Sequence, residues 1–348
     1  MKIVVFGNLG YVGSGVVKQL RDSFPKADII GYDIGYFAHC LTKPEFLPEV
    51  MLTRQVYADI RKVEAKDLEG IDAVIDLAAI SNDPMSDKFE QLTYDINYKA
   101  AVRLAKLSKA AGVSNFVYAS SCSVYGTASQ DPKKESDEVN PLTPYAKSKI
   151  YTEREIEPLA DKDFVITCLR FATACGNSDR LRLDLVLNDF VASALVRNEI
   201  SILSDGTPWR PLINTKDMAR AINWAVERKG LNGGNFLTVN VGSDKWNYQI
   251  KPLAEAAARI VKNINISINS DAMPDKRSYR VCFEKFKQLA PHHQPINNLQ
   301  STIKELIEKL IKMNFNDLDF RNSDLIRLKV ISDLLDQNRL NKNFEWQR

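Results

Sequence analysis

Tyr145 and Lys149 stand four residues apart in Pro144-Tyr145-Ala146-Lys147-Ser148-Lys149-Ile150, so a helix over this stretch sets both on one face. It is the only Tyr-x-x-x-Lys in the chain. A phenol of ordinary pKa, about 10, is a poor base at neutral pH, but a neighbouring ammonium favours the phenolate, which can take a proton from an alcohol. Upstream, an apolar run ends in Ser120-Ser121-Cys122-Ser123-Val124-Tyr125-Gly126. A hydroxyl at Ser121 would sit at the carboxyl end of a strand, where it could donate to the substrate oxygen as charge develops there. The chemistry on offer is proton abstraction from a hydroxyl, with Ser121, Tyr145 and Lys149 as the catalytic set. The bland alternative is an amphipathic helix with a surface lysine.

The start of the chain shifts that balance. An apolar run at 2–6 is followed at once by Gly7-Asn8-Leu9-Gly10-Tyr11-Val12-Gly13 and a helical stretch at 16–20. Strand, glycine turn, helix is the order of a dinucleotide fold. The glycines allow a tight turn and let backbone amides approach a pyrophosphate at the positive end of the helix dipole, with Leu9, Tyr11 and Val12 completing the loop. Asp33 ends the second expected strand about 20 residues further on, where a carboxylate can accept both adenosine ribose hydroxyls. It would repel a 2′-phosphate, so NAD is expected in preference to NADP. Asp59 and Ile60 are candidates for the adenine edge, with a solvated surface Asp as the alternative.

These groups need a frame. Runs rich in β-formers at 2–6, 28–32, 73–77, 116–119 and 164–169 alternate with helical segments up to about residue 171. This predicts an α/β fold, a Rossmann-type doubly wound parallel sheet with helices on both faces. Beyond 176, isolated strands at 200–203 and 236–240 lie between helices near 184–197, 215–227 and 249–262, which predicts a smaller α/β substrate-binding lobe. Residues 299–348 carry Ile303, Leu306, Leu310 and Ile311 at helical spacing and read as a helical appendage. The expected division is an NAD-binding domain over 1–175, a sugar-nucleotide lobe over 176–298 and the appendage, with the substrate in the cleft.

The GxxGxxG loop, Asp33, the SSCSVYG segment and the YAKSK helix together resemble the extended short-chain dehydrogenase/reductases, in the family's order and from residue 1 to about 283. The resemblance implies an NAD-dependent nucleotide-sugar epimerase or oxidoreductase that works through oxidation at the sugar C4 to a 4-keto intermediate. It implies that Lys149 also binds the nicotinamide ribose, that Leu77, Ala78 and Ala79 form the loop beside the cofactor, and that Asn97 and Phe171 belong to the cofactor site. Around the sugar nucleotide the candidates are Ser81, Ser121, Ser123, Tyr145, Thr173 and Arg182, with Asn188, Arg210 and Arg277 for the diphosphate. A guanidinium fork suits phosphate oxygens, although surface ion pairing is the alternative for both Arg210 and Arg277. A tolerated helical polar residue is the alternative for Asn97.

Departures from the family pattern narrow the reaction. Dehydratases carry an Asp-Glu pair directly after the residue matching Ser121; Cys122 and Ser123 stand here, so water elimination is disfavoured. Phe6 replaces a Thr common before the first glycine, which alters packing near the loop. Residues 180–190 and the later DKRSYRV also resemble a branch with a GDP-heptose 4-dehydrogenase, so net C4 dehydrogenation or ketoreduction is the alternative to epimerisation. A third route inverts a neighbouring carbon, with Cys122 or Ser123 close to the ring. A non-catalytic NAD sensor would not need Ser121, Tyr145 and Lys149 together. The family also implies a homodimer, paired through helices around 88–111 and 145–159.

Composition bounds the rest. With 348 residues and 45% hydrophobic content, the chain can bury a full core. Its net charge of +3 comes from interleaved acids and bases, which offers no stripe for nucleic acid and no polybasic run for a membrane surface. The five cysteines form no CxxC pair, so neither a disulfide framework nor a metal site is expected, and a reducing cytoplasm is the natural setting. No signal peptide or membrane-spanning stretch is read. The expected partner is a UDP-, GDP-, CDP- or dTDP-linked sugar, with base and sugar left open.

Overall fold

In the computed structural model, which describes residues 1–127, 131–269 and 277–347, the apolar runs of the first half become parallel strands. The strands are β1 (Lys2–Phe6), β2 (Asp28–Asp33), β3 (Arg54–Tyr57), β4 (Ala73–Asp76), β5 (Asn115–Ser121), β6 (Val165–Phe171), β7 (Thr173–Cys175), β8 (Glu199–Ile202), β9 (Trp209–Asn214), β10 (Phe236–Val241), β11 (Asn247–Gln249) and β12 (Asn265–Ile268). The helices are α1 (Gly13–Ser23), α2 (Asp83–Lys88), α3 (Glu90–Tyr94), α4 (Ala101–Ala110), α5 (Pro144–Ile156), α6 (Val186–Arg197), α7 (Thr215–Val226), α8 (Ile250–Val261), α9 (Glu284–Leu289), α10 (Leu299–Lys312) and α11 (Arg327–Asp336).

Seven strands form one parallel sheet in the order β3-β2-β1-β4-β5-β6-β10. Helices on both faces demand strands that are apolar on both faces, and every residue of β6, Val-Ile-Thr-Cys-Leu-Arg-Phe, is buried. Alternate residues feed two cores. Val5, Ile29, Val117 and the α1 and α7 residues Val16, Leu20 and Ile222 share one, while Val4, Ile30, Phe116 and the α4 residues Leu104 and Ala105 share the other. The strand order reverses between β1 and β4, which opens a crevice at the strands' carboxyl ends.

Three features differ from the sequence reading. The first is β3, an edge strand whose Arg54 and Tyr57 are exposed, so its Arg-Gln-Val-Tyr carries little apolar pattern to read. The second is β10, expected in the second lobe, which pairs with β6 along Phe236–Val241 and extends the main sheet. Residues 176–298 therefore leave the sheet and return to it. Third, the C-terminal part is built into both halves. Ile303, Leu306 and Leu310 of α10 join a third core with Leu187 and Val191 of α6 and Leu253 of α8, and Val330, Ile331, Leu334 and Phe344 pack into the core beneath α4. Among the described residues, no helix is long and apolar enough to cross a membrane.

Candidate active site

A cleft of about 910 Å³ runs along the carboxyl ends of the strands, over the β1–β4 reversal. Gly7 has a φ of 81° and donates its amide to the Tyr32 carbonyl at 2.9 Å. A Cβ there would lie 2.7 Å from the Ala78 nitrogen, so the turn can press against the loop after β4 only as glycine. A Cβ at Gly13 would stand 2.4 Å from the Asn8 carbonyl oxygen. Behind the turn, no side chain caps the start of α1 and no acid sits in its first turn. The leading amides of α1 are thus left for an anion, which the helix dipole also attracts.

Asp33 closes β2 with one carboxylate oxygen on the Leu9 amide at 3.1 Å and the other on the Gly35 amide at 2.8 Å. Burial raises its pKa above the usual carboxylate range, and these two amides pull it back. Gly7, Gly10, Tyr11, Val12, Gly13 and Asp33 all line the cleft, as do Leu77, Ala78 and Ala79. Leu9 does not: its side chain is buried and its amide is taken up by Asp33. Further along, Asp59 and Ile60 line the cleft, but the Asp59 carboxylate is gripped by the Arg61 guanidinium at 2.6 Å. A glycine turn, an uncapped helix and a carboxylate at the next strand end fit a dinucleotide.

Asn97 does not reach the cleft. Its side chain is buried and both of its polar atoms bond the Ile80 backbone, at 2.8 and 2.9 Å. It fixes the turn after Ala79, which makes it a positioning residue where a direct cofactor contact was expected. The helix it sits in also departs from expectation. A π turn over Asp95–Ala100 joins α3 to α4, and the Asn97 carbonyl accepts from Tyr118 at 3.2 Å and from Thr152 of α5 at 3.1 Å.

The catalytic candidates meet where β5 and α5 face each other. Thr143 caps α5 through the Ala146 amide at 3.2 Å, with Pro144 in the first turn. Glu153 of α5 forms a buried pair with Arg170 of β6 at 2.6 Å and accepts from Ser120 at 2.5 Å, clamping the helix to the sheet. Tyr145 and Lys149 consequently look into the cleft beside Ser121, whose hydroxyl accepts from the Ser123 amide at 3.1 Å and lowers the pKa of the phenol. The buried Lys149 ammonium donates to the Ala119 carbonyl at 2.7 Å and lies 5.5 Å from the Tyr145 ring centre and 4.7 Å from that of Tyr118.

The electrostatics correct one expectation. Burial pushes the Tyr145 phenol up to about 12, against the lowering effect of Ser121, and it pulls Lys149 down to about 8, against the pull of Asp76 and Glu153. Desolvation outweighs both Ser121 and the Arg182 guanidinium, so the chain by itself holds Tyr145 as a phenol. Sequence reasoning missed Asp76. It ends β4 behind the 77–79 loop, fully buried, with one oxygen on the Ala78 amide at 3.1 Å and the other without a partner among the described residues, and burial raises its carboxyl to about 6. An Asp within an apolar run gave no sign that its carboxylate would act on Lys149.

Beyond Tyr145 the walls come from scattered segments. Ser123 lines the cleft with a buried hydroxyl that has no hydrogen-bond partner among the described residues, a group that a ligand hydroxyl would satisfy. Cys122 turns the other way, its thiol on the Arg170 carbonyl at 3.1 Å and pushed far up by burial, so it cannot serve as a base near a sugar ring. Phe171, Thr173 and Ser81 line the cleft, and Arg182 bonds Ser81 at 2.8 Å while forking onto Asp184 at 2.9 Å. Arg210 faces it with its guanidinium over the Tyr279 ring at 5.8 Å, and Arg277 faces it paired with Asp83 at 2.5 Å. Asn188 does not: fully buried, it bonds the Gly176 amide at 3.0 Å, the Arg182 carbonyl at 2.8 Å and the Tyr11 hydroxyl at 3.0 Å, so it braces the wall. Arg321 and Arg327, unread in the sequence, also line the cleft from the C-terminal part.

Comparison with known proteins agrees with this geometry. The profile of the NAD-dependent epimerase/dehydratase family matches residues 3–242. An uncharacterized UDP-glucose epimerase of Bacillus subtilis is 29% identical over 254 residues, 70% of this chain and 77% of that one. The UDP-glucose 4-epimerase of Homo sapiens is 27% identical over 251 residues, 63% of this chain and 71% of that one. Among solved structures, an NAD-dependent NDP-hexosamine 5,6-dehydratase of tunicamycin biosynthesis superposes with a TM-score of 0.77 at 21% identity, over 91% of this chain and 99% of that one. The UDP-glucuronic acid 4-epimerase from Bacillus cereus in complex with NAD gives 0.76 at 22% identity, over 91% and 98%. With more than half its length inside the family profile, and a cleft whose glycine turn and Asp33 suit a dinucleotide, the chain belongs to the NAD-dependent epimerase/dehydratase family and is an NAD-dependent enzyme.

Proposed function

We propose that the chain is a sugar-nucleotide 4-epimerase, which oxidises the sugar C4 hydroxyl to a 4-keto intermediate and restores the centre with the opposite configuration. The observation that carries this reading is the meeting of Ser121, Tyr145 and Lys149 in the cleft, beside the glycine turn. NAD supplies the hydride acceptor and, while oxidised, a positive charge that favours the phenolate. Tyr145 takes the proton of the 4-hydroxyl and returns it when the centre re-forms. Ser121 donates to the C4 oxygen as its charge grows. Lys149, an ammonium below about 8, holds ribose hydroxyls and steadies the phenolate. Residues 176–235 and 242–298 are assigned to the sugar nucleotide, with Arg182, Arg210 and Arg277 facing its diphosphate. The names of the relatives support a UDP-linked sugar.

The test incubates the purified protein with NAD and a panel of UDP-, dTDP-, CDP- and GDP-sugars. Inversion at C4 without accumulation of NADH is the expected result; stoichiometric NADH would make the enzyme a net dehydrogenase and overturn the epimerase reading. We further propose a homodimer through α3, α4 and α5, because their outward face carries Tyr94 stacked on Tyr151 at 6.1 Å and Tyr98 at 5.6 Å from the same ring. A monomeric molar mass by light scattering would refute it.

A further inference from the structure

The adenosine side of the cleft is walled partly by residues that the family profile, which ends at residue 242, does not account for. Arg327, Ile331 and Phe344 line it together with Asp33, Tyr36 and Phe37. Four contacts fasten this C-terminal segment. The Tyr36 hydroxyl donates to the Phe344 carbonyl, the Trp346 indole to the Ile34 carbonyl at 2.8 Å and Arg61 to the Asn343 carbonyl at 2.8 Å, and Lys62 pairs with Glu345 at 2.8 Å. The Phe344 ring is buried, 4.8 Å from that of Phe89 and 6.0 Å from that of Tyr36.

Arg327 adds a second hold. It is 1% exposed, donates to the Arg180 and Leu181 carbonyls at 2.7 and 3.3 Å, and stacks 4.9 Å above the Phe37 ring. Its hydrogen-bond partners among the described residues are carbonyls, and the carboxylate that favours its charge, Asp184, is already forked by Arg182, so its positive charge lines the cleft without a carboxylate of its own. A buried cation in that state is stabilised by an anionic ligand. The segment thus touches the loops after β2 and β3, which frame the adenosine end, and the backbone of Arg180 and Leu181 behind the cleft wall.

We propose that residues 327–346 are part of the NAD site, with Phe344 and Arg327 closing its adenosine half and keeping the dinucleotide bound through successive turnovers. This rests on the epimerase reading and deepens it. The hydride removed from C4 returns to the same sugar, NAD is regenerated in place, and no second substrate carries electrons away.

The experiment measures release of bound NAD from full-length Phe344→Ala and Trp346→Ala, chased with a fluorescent NAD analogue and no sugar nucleotide present. Release accelerates by at least about tenfold in Phe344→Ala and by less in Trp346→Ala. Affinity for ADP falls in parallel, affinity for nicotinamide mononucleotide holds, and Leu231→Ala, at a fully exposed site, behaves as the native chain. Release within about two-fold of native, or equal losses for ADP and nicotinamide mononucleotide, overturns the proposal. If Phe344→Ala does not fold, amide exchange at 340–346 in the native chain decides: NAD and ADP must each increase protection, and unchanged protection overturns it. Because no sugar is present, failure here leaves the chemistry of Tyr145 standing, and a negative sugar panel leaves the release data intact.

Discussion

The two ends of the cleft are built by different means. At the dinucleotide end the contacts are backbone geometry: a glycine with positive φ pressed on the next loop, an uncapped helix start, and a carboxylate held by two amides. At the sugar end they are side chains from distant segments, and three of the arginines already have acidic partners: Arg182 with Asp184, Arg277 with Asp83 and Arg321 with Asp189. A site made of backbone admits few sequences, because a Cβ in the wrong place displaces the chain. A site made of side chains can be respecified one residue at a time, which is how one fold serves many sugars.

Tyr145 lies at the junction, so Tyr145→Phe should remove the chemistry and leave both ends intact. Turnover on the sugar nucleotide found by the panel should fall about 10³-fold, the span of a lost general base. NAD and UDP affinities, read by fluorescence titration, should stay near native. A variant that turns over normally would sink the mechanism, and one that loses NAD would show that the two ends are not separable.

Asp76 offers a test by pH. Its carboxyl titrates near 6 in the folded chain and near 4 when unfolded, so between those values the folded state binds more protons and stability falls as pH rises. The penalty is fully present above 6. Asp76→Asn should therefore raise stability at pH 8 by up to about 3 kcal/mol while changing it little at pH 4. Lys149, losing a neighbour that favours its charge, should titrate below 8. Equal shifts in melting temperature at both pH values would count against the assignment.

The dinucleotide end was the legible one, and the reason is physical. Gly7, Gly13 and Asp33 answer to local geometry within one strand-turn-helix unit, so their roles follow from order and spacing. Tyr145 and Lys149 were found for the same reason, as neighbours on one turn of α5. What sequence could not supply was tertiary accounting. Nothing local says that Asn97 and Asn188 would bond backbone inside the wall instead of a ligand, or that burial would raise Tyr145 above its ordinary value. Nor does the helical spacing at 299–348 reveal that Phe344 would end against Tyr36, in the loop after β2.

At the backbone end, Gly7→Ala should cost affinity with little effect on the sugar end. Its φ of 81° and the 2.7 Å approach to Ala78 force either strain or a shift of the 77–79 loop, about 2 kcal/mol, or roughly 30-fold in NAD affinity. UDP affinity should remain within experimental scatter. Equal losses for both ligands would mean that the ends are mechanically coupled, against the contrast drawn above.

The smallest effect belongs to the sugar end. Arg277 is 43% exposed, so losing its pair with Asp83 should change stability by less than about 1 kcal/mol. Affinity for UDP should drop by about five-fold and NAD affinity should hold. A kinetic signature separates this from simple loss of a phosphate contact. The Asp83 carboxylate raises the phenol of Tyr145, and Arg277 is the cation paired with that carboxylate. In Arg277→Ala that carboxylate acts with less opposition, so the alkaline pH needed to ionise Tyr145 rises and the acid limb of the kcat profile moves upward. A profile that stays fixed while UDP affinity falls would confine Arg277 to binding and leave Tyr145 under the control of its own burial alone.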